Sequence, residues 1–260
     1  MENLEEFKML HGNGKLWIVG FRRGTVDEGP RTSYHYDGQI RRQSFYRNGK
    51  LDGEVKEWEN NGQLGMHGFW QNGKPEGEQK EWYENGQIMR HDFYRDGKCE
   101  GEYKFWYWNG QLCSQHFCRN GKREGERKKW NEYGQLEELQ FYRNGQLNGE
   151  QKKWHKNGRI ETVSSYRNGV QEGKYKRWYE NGNPHIRKLY RNGIREGEHK
   201  IWDKNGNVRF HLFRINGKII DTKFTLKKKH SILRIKRLYL RRLLVSKIDP
   251  FTISDLSKMI

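Results

Sequence analysis

A tryptophan recurs every 24 residues along most of this chain, and this period limits the possible folds more than any other feature. The series runs through Trp58, Trp82, Trp106, Trp130, Trp154, Trp178 and Trp202, and Tyr34 extends it backwards. Three glycine columns keep the same step, as at Gly53, Gly62 and Gly73. Self-similarity at a fixed short period is typical of repeat architectures. The sequence therefore predicts tandem repeats over residues 15–223.

Asn-Gly dipeptides divide most copies into two short segments. Asn61-Gly62 and Asn72-Gly73 show both dipeptides in one copy. Asn-Gly between strand-like segments is a strong hairpin signal, because both central residues of a type I′ turn need a positive φ. The connections are too short for parallel crossovers. We therefore predict an all-β fold, an elongated antiparallel β-hairpin array that forms a single twisted sheet or solenoid.

Alternate residues of the first strand differ in how strictly they repeat. Glu54, Lys56 and Trp58 recur almost unchanged in later copies, whereas Val55 and Glu57 are replaced from copy to copy. Successive side chains of a strand point to opposite faces. We interpret the repeated face as the packing face and the varied face as the candidate recognition face. The tryptophan column is then a structural core rather than a stacking platform for bases or sugars.

The two ends of the chain depart from the repeat. Residues 1–14 are predicted to form an N-terminal cap with a short helix, since Asn3 and Glu6 have the spacing of a capping box. Residues 224–260 contain no Asn-Gly turn and read as a basic helical segment. Its candidate residues for binding a partner or an anion are Arg234, Lys236, Arg237, Arg241 and Arg242. A cap over the last hairpin is the alternative role.

Composition favours a thin fold with anionic partners. Hydrophobic residues make up only 32 %, but aromatic residues reach 14 %, and each buries a large area. The net charge is +18, which favours acidic protein, anionic lipid or nucleic acid. Residues 223–260 hold eleven Lys or Arg and two Asp, so this segment carries +9, half of the total.

No motif indicates catalysis, a cofactor or a metal. The repeated Glu and Lys columns are expected to form cross-strand charge pairs rather than a catalytic dyad, since near-identical sites along a sheet do not make one cleft. A metal site at His67 and His91 is disfavoured, and so is a redox pair of Cys113 and Cys118. We expect no enzymatic activity, no cofactor and no catalytic or metal-binding residue.

The repeat unit, roughly G-E-x-K-x-W-x-x-N-G-Q with a later Y-x-N-G-K, resembles the MORN-variant repeat. Such repeats occur in bacterial proteins of the YwqK antitoxin type and in large DNA viruses. The resemblance covers about four fifths of the chain and implies scaffolding, dimerisation or binding of acidic phospholipid. It implies no catalytic residue.

The leading hypothesis is a non-enzymatic scaffold for protein–protein interaction, within a larger assembly. Peripheral attachment to an anionic phospholipid membrane through the basic segment, and an antitoxin-like neutralising role, are the alternatives. Nucleic acid is a less favoured partner, and a homodimer through an open sheet edge stays open. The acidic start lacks a signal-peptide pattern, and no apolar stretch is long enough to span a membrane. A cytoplasmic location is therefore expected, with membrane-peripheral or virion association as alternatives.

Overall fold

All regular structure between residues 3 and 221 consists of β-strands, in a computed structural model that describes this part of the chain. Every strand pairing within it is antiparallel, as at β1–β2 and β22–β23, given below. The all-β antiparallel prediction is therefore confirmed. The chain divides into two compact units, one ending at Val170 and one beginning at Gln171, which are described separately.

The first unit contains eighteen complete strands. They are β1 (Leu4–Leu10), β2 (Leu16–Arg23), β3 (Val26–Asp27), β4 (Gly29–Tyr34), β5 (Ile40–Arg47), β6 (Lys50–Leu51), β7 (Gly53–Trp58), β8 (Leu64–Gln71), β9 (Lys74–Trp82), β10 (Ile88–Arg95), β11 (Lys98–Cys99), β12 (Gly101–Trp106), β13 (Leu112–Arg119), β14 (Lys122–Trp130), β15 (Leu136–Arg143), β16 (Gln146–Leu147), β17 (Gly149–Trp154) and β18 (Ile160–Arg167). The short β19 (Val170–Gln171) spans the division.

The second unit continues the same pattern over its described residues. Its strands are β20 (Gly173–Trp178), β21 (Pro184–Arg191), β22 (Ile194–Trp202), β23 (Val208–Ile215) and β24 (Lys218–Asp221). Glu198 pairs with Phe213 and His199 with Leu212, so the hairpin register matches that of the first unit.

The hairpin register defines two faces of the sheet. Glu54 lies opposite Phe69 and Lys56 opposite His67. Val55 lies opposite Gly68, on the other face. We call the face of Glu54 and its equivalents the ladder face, and the face of Val55 and its equivalents the cavity face.

The two Asn-Gly turns of a repeat differ in conformation. At the turn of Asn72 and Gly73 both residues have a positive φ, 50° and 80°, as a type I′ turn requires. At Asn61-Gly62 only the glycine does, with a φ of 78°. There Gly62 N–H donates to Glu59 O at 2.9 Å, and Glu59 N–H donates to Gln63 O. The type I′ prediction was therefore wrong for this turn, because three loop residues favour a type I turn followed by a left-handed glycine.

Side chains of one repeat bond to the backbone of the next. Asn61 Nδ2 donates to Glu84 O at 3.0 Å, and the Tyr83 hydroxyl donates to Trp106 O at 2.7 Å. The partners lie 23 residues apart in both cases. These bonds link consecutive hairpins at the end that carries the three-residue turns, such as that of Asn61-Gly62.

The N-terminal helix prediction was wrong, because Leu4–Leu10 forms strand β1 paired with β2. Phe7 lies opposite Gly20, and the Arg22 guanidinium sits 3.8 Å from the centre of the Phe7 ring. A missing side chain at Gly20 leaves room for that ring, since an added Cβ would lie 3.0 Å from it. The inter-strand bonds and this contact outweigh a capping box on a short isolated helix.

Substitution of Gly68 by alanine tests the packing on the cavity face. An added Cβ at Gly68 would lie 1.7 Å from Gln79 Oε1, and Gln79 is buried and donates to Phe69 O at 2.8 Å. We expect Gly68→Ala to lower the free energy of unfolding by about 1–3 kcal/mol, measured by urea denaturation. The control Gly12→Ala places its Cβ in open space and should change it by less than about 0.5 kcal/mol. Equal effects of the two variants would contradict this packing.

Candidate interaction surfaces

Each glutamate of the ladder face holds a lysine and often a histidine. Glu54 contacts Lys56 Nζ at 2.9 Å on its own strand and His67 Nε2 at 2.8 Å on the next strand. Glu78 repeats this geometry with Lys80 and His91. The hydrogen bond from Lys56, and then that of His67, hold the pKa of Glu54 below its usual value. For the repeated Glu and Lys columns the expected cross-strand pairing was therefore wrong, since each lysine lies two residues along the same strand as its glutamate.

A column of phenylalanines lies beside these charged groups and is largely exposed. Phe45, Phe69, Phe93 and Phe117 are 38, 42, 37 and 41 % exposed. Phe69 lies opposite Glu54 within its hairpin, so the rings share the ladder face with the glutamates. Equivalent rings are two strands apart, roughly 10 Å. The sequence showed this column but not its exposure.

The seven tryptophans lie at the ends of strands and are half-buried. Trp58 follows a β-bulge and lies opposite Leu64, and Trp106 lies opposite Leu112 in the same way. Backbone oxygens of this column also accept the bonds between repeats, as at Trp106 and Trp130. The positions with this burial are Trp58, Trp82, Trp106, Trp130, Trp154, Trp178 and Trp202.

The most buried side chains belong to the varied positions on the cavity face. Val55 and Asp92 have no exposed surface, and Gln79, Gln151 and Ser164 are also buried. The interpretation of the two faces was therefore wrong: the face that varies is the more buried one, whereas the repeated Glu, Lys and Phe columns are half-buried or exposed. Val55, Gln79 and Tyr103 occupy the same position in successive copies. The residue type changes there, but the side chain stays buried or half-buried in each copy.

Buried polar groups on the cavity face have shifted acid–base properties. Burial raises the pKa of Asp92, although Arg90 Nε lies 3.4 Å from its Oδ1. Burial and the Asp92 carboxylate raise the pKa of Tyr94 to about 12. Burial, followed by the hydrogen bond to Cys118, raises the pKa of Cys99. The neighbouring thiols are thus Cys99 and Cys118, not Cys113 and Cys118.

No group of three or more metal-ligating side chains occurs among residues 3–221. His67 and His91 are each hydrogen-bonded to a glutamate of their own hairpin. Within the same range, no helix is long and apolar enough to cross a membrane. The basic candidates Arg234, Lys236, Arg237, Arg241 and Arg242 lie outside the described residues.

Comparison with known proteins supports one repeat family. The MORN repeat variant matches residues 27–48, 75–96, 147–168, 171–192 and 195–219. No curated protein sequence matches significantly. The crystal structures of TcdB2-TccC3-Cdc42 and TcdB2-TccC3-TEV each match at 10 % identity and a TM-score of 0.21, and cover 82 and 83 % of this chain. The chain spans only 14 % of either of them, and a similarity this low carries no argument.

Uniform antiparallel hairpins with a fixed 24-residue step define a β-hairpin repeat protein. The five family matches make the assignment specific: the chain is a MORN-variant repeat protein. MORN repeats are commonly protein- or membrane-binding modules, and the repeat itself is a non-catalytic module.

Loss of stability on acidification tests the buried histidine of the second unit. Burial, and then the charges of Lys188, Arg195 and Arg214, lower the pKa of His199 to about 4. The unfolded chain takes up this proton near pH 6.5, so the folded state should lose stability as the pH falls from about 6.5 to 4. We expect His199→Gln to remove up to about 3 kcal/mol of that loss, measured by urea denaturation at several pH values.

The control for this experiment is His67→Gln, which changes a partly exposed histidine of the first unit. This variant should retain the loss that originates in the second unit. An unchanged pH profile in His199→Gln would contradict the buried, neutral state of this imidazole.

Proposed function

We propose that this protein is a non-enzymatic scaffold that binds a protein partner through the ladder face. The observation that carries the proposal is the exposed column of Phe45, Phe69, Phe93 and Phe117. Single exposed apolar side chains are normal on protein surfaces, but an aligned series of them is a feature of interaction sites.

The surroundings of the column suit a protein interface. Protein interfaces have an aromatic centre and a polar rim, and aromatic residues dominate their binding energy. On the ladder face Phe69, Phe93 and Phe117 each lie opposite a glutamate whose lysine partner is within 3 Å, as at Glu54–Lys56 and Glu78–Lys80. These side chains are already oriented by their ion pairs, so less conformational entropy is lost when a partner binds.

Packing within the sheet explains part of the phenylalanine column. An added Cβ at Gly53 would lie 3.2 Å from Phe45 Cβ, so the base of this side chain covers a glycine of the neighbouring strand. The contact covers part of the Phe45 side chain. It leaves more than a third of each of the four phenylalanines open to solvent. A partner that contacts the ladder face would bury this remainder.

Site-specific photocrosslinking tests the protein-binding role. A photoreactive phenylalanine analogue at Phe69 should crosslink the partner in the cells that produce this protein, whereas the same analogue at Tyr133 should not. Tyr133 is also exposed, at 80 %, but lies in a turn. The double variant Phe69→Ser/Phe93→Ser should weaken capture of that partner at least about tenfold, as expected for loss of central aromatic contacts.

Two results would contradict the proposal. One is the same crosslinked proteins from Phe69 and Tyr133, which would indicate random collisions. The other is unchanged capture by the double variant, with its circular dichroism spectrum also unchanged.

A second candidate function is attachment to an anionic membrane surface, which the +9 charge of residues 223–260 favours. Sedimentation with vesicles that contain phosphatidylserine should capture the full chain. A chain that ends at Lys223 should bind at least about tenfold more weakly, since each lost cation near such a surface contributes about 1 kcal/mol. Equal binding of the two chains would exclude the basic segment as the anchor.

A further inference from the structure

A cavity of about 380 Å³ opens on the cavity face of the first unit, between β10 and β14. Its walls include Tyr94, Tyr103, His116, Arg123 and Arg127. Pockets for small ligands commonly have volumes of about 300–1,000 Å³ and combine aromatic walls with a few polar groups. This cavity has the size and the lining of such a pocket.

One of its two arginines is held in place and the other is uncommitted. Arg127 donates to Glu138 Oε2 and to Gln140 Oε1, both at 2.9 Å. Arg123 is exposed, with its guanidinium 5.5 Å from the ring of Tyr142. Across residues 3–221 no carboxylate lies within ion-pairing distance of Arg123. The cavity therefore presents a cation whose charge the protein does not neutralise locally.

His116 adds an unsatisfied polar atom to the same wall. Its ring stacks on Tyr103, with 4.5 Å between the centroids and 28° between the planes. Nδ1 of His116 is buried and has no hydrogen-bond partner within the described part of the chain. Burial, followed by the charges of Arg123 and Arg127, lowers the pKa of His116 to about 4. A buried polar atom without a partner is destabilising, and a hydrogen bond to a bound ligand would remove that cost.

The carboxylates near the cavity are already ion-paired with cations other than Arg123. Glu138 contacts Arg127 at 2.9 Å and Lys153 at 3.0 Å, and Asp92 lies 3.4 Å from Arg90. Neither Glu138 nor Asp92 therefore neutralises the positive charge of Arg123. An anion gains from such a site, and a metal cation does not.

This combination of residues occurs in one copy of the repeat within the first unit. One period earlier and one later, His116 is replaced by Asp92 and Gln140, and Arg123 by Cys99 and Leu147. Arg127 is likewise replaced by Tyr103 and Gln151. The cluster is thus specific to one copy, on the face whose residues vary between copies.

We propose that this cavity binds a small phosphomonoester, with Arg123 and Arg127 on the phosphate, His116 Nδ1 as a further donor and the tyrosines against its organic group. Guanidinium groups match the oxygens of phosphate in charge and geometry. The volume exceeds what a phosphate alone fills, so the organic group lies beside Tyr94 and Tyr103. The site is separate from the ladder face, so neither proposal depends on the other.

Isothermal titration calorimetry with phenyl phosphate tests the site in the full chain. We expect saturable binding that is tighter than that of inorganic phosphate, because the ring contacts the aromatic wall. Arg123→Gln should weaken it about 10- to 100-fold, the range for loss of a hydrogen bond between charged groups. Arg123 is exposed, so this variant should keep the unfolding midpoint of the parent protein.

The matched control is Arg119→Gln, which removes the same charge from the same hairpin. Arg119 is exposed, and strand alternation places it on the face opposite Cys118. Its affinity should stay within about twofold of the parent, because a removed surface charge acts only through screened solvent. Equal weakening by the two variants would show attraction by net charge alone and overturn the proposal.

Nuclear magnetic resonance of the unsubstituted protein provides a test without variants. Phenyl phosphate should shift the imidazole resonances of His116 at the concentrations that give the calorimetric signal, and leave those of His35 unchanged. Absence of saturable binding, or binding no tighter than that of inorganic phosphate, would overturn the proposal.

Discussion

Antiparallel backbone pairing between consecutive hairpins carries this fold, because the described part of the chain buries almost no apolar side chain. Over residues 3–221 the buried hydrophobic residues are Ile18, Val55, Cys118 and Leu212. A hairpin alone is marginal, so each one depends on the next. The hydrogen bonds from Asn61 to Glu84 and from Tyr83 to Trp106 also connect each hairpin to the next one, near the turns. Half-buried tryptophans contribute the apolar area that a central core would otherwise provide.

The two faces of the sheet follow from this arrangement and suggest two separate roles. The ladder face shows the same Glu, Lys and Phe pattern in successive copies, which suits a partner that contacts several repeats at once. The cavity face buries polar groups such as Gln79 and Asp92, whose neighbours differ in each copy. A unique cluster such as that of His116 and Arg123 arises there because each copy is free to vary once its buried positions are filled.

Much of the fold was predictable from local signals. Strand positions and the antiparallel arrangement followed from the Asn-Gly spacing, since a positive φ at Asn72 and Gly73 is a local property. The N-terminal helix was wrongly predicted because the capping pattern at Asn3 and Glu6 competes with pairing to β2, a contact between distant residues. The Glu–Lys pairs were misplaced because Phe69, not a lysine, lies opposite Glu54, while alternation puts Lys56 on the same side of the same strand.

By itself the sequence determined the 24-residue period, the turns, the strands and the membership of two faces, because all of these depend on neighbours along the chain. Only the tertiary structure decided which face is covered. Alternation assigns Val55 and Glu54 to opposite sides, but it is indifferent to which side meets other side chains. The same holds for the cavity, where Tyr94 and Arg127 lie 33 residues apart in sequence and are brought to one cavity by the successive pairing of β10, β12, β13 and β14. The residues that recur every 24 positions indicate where the turns and strands lie. Contacts between strands decide which of these positions are buried and which are open to a ligand or partner.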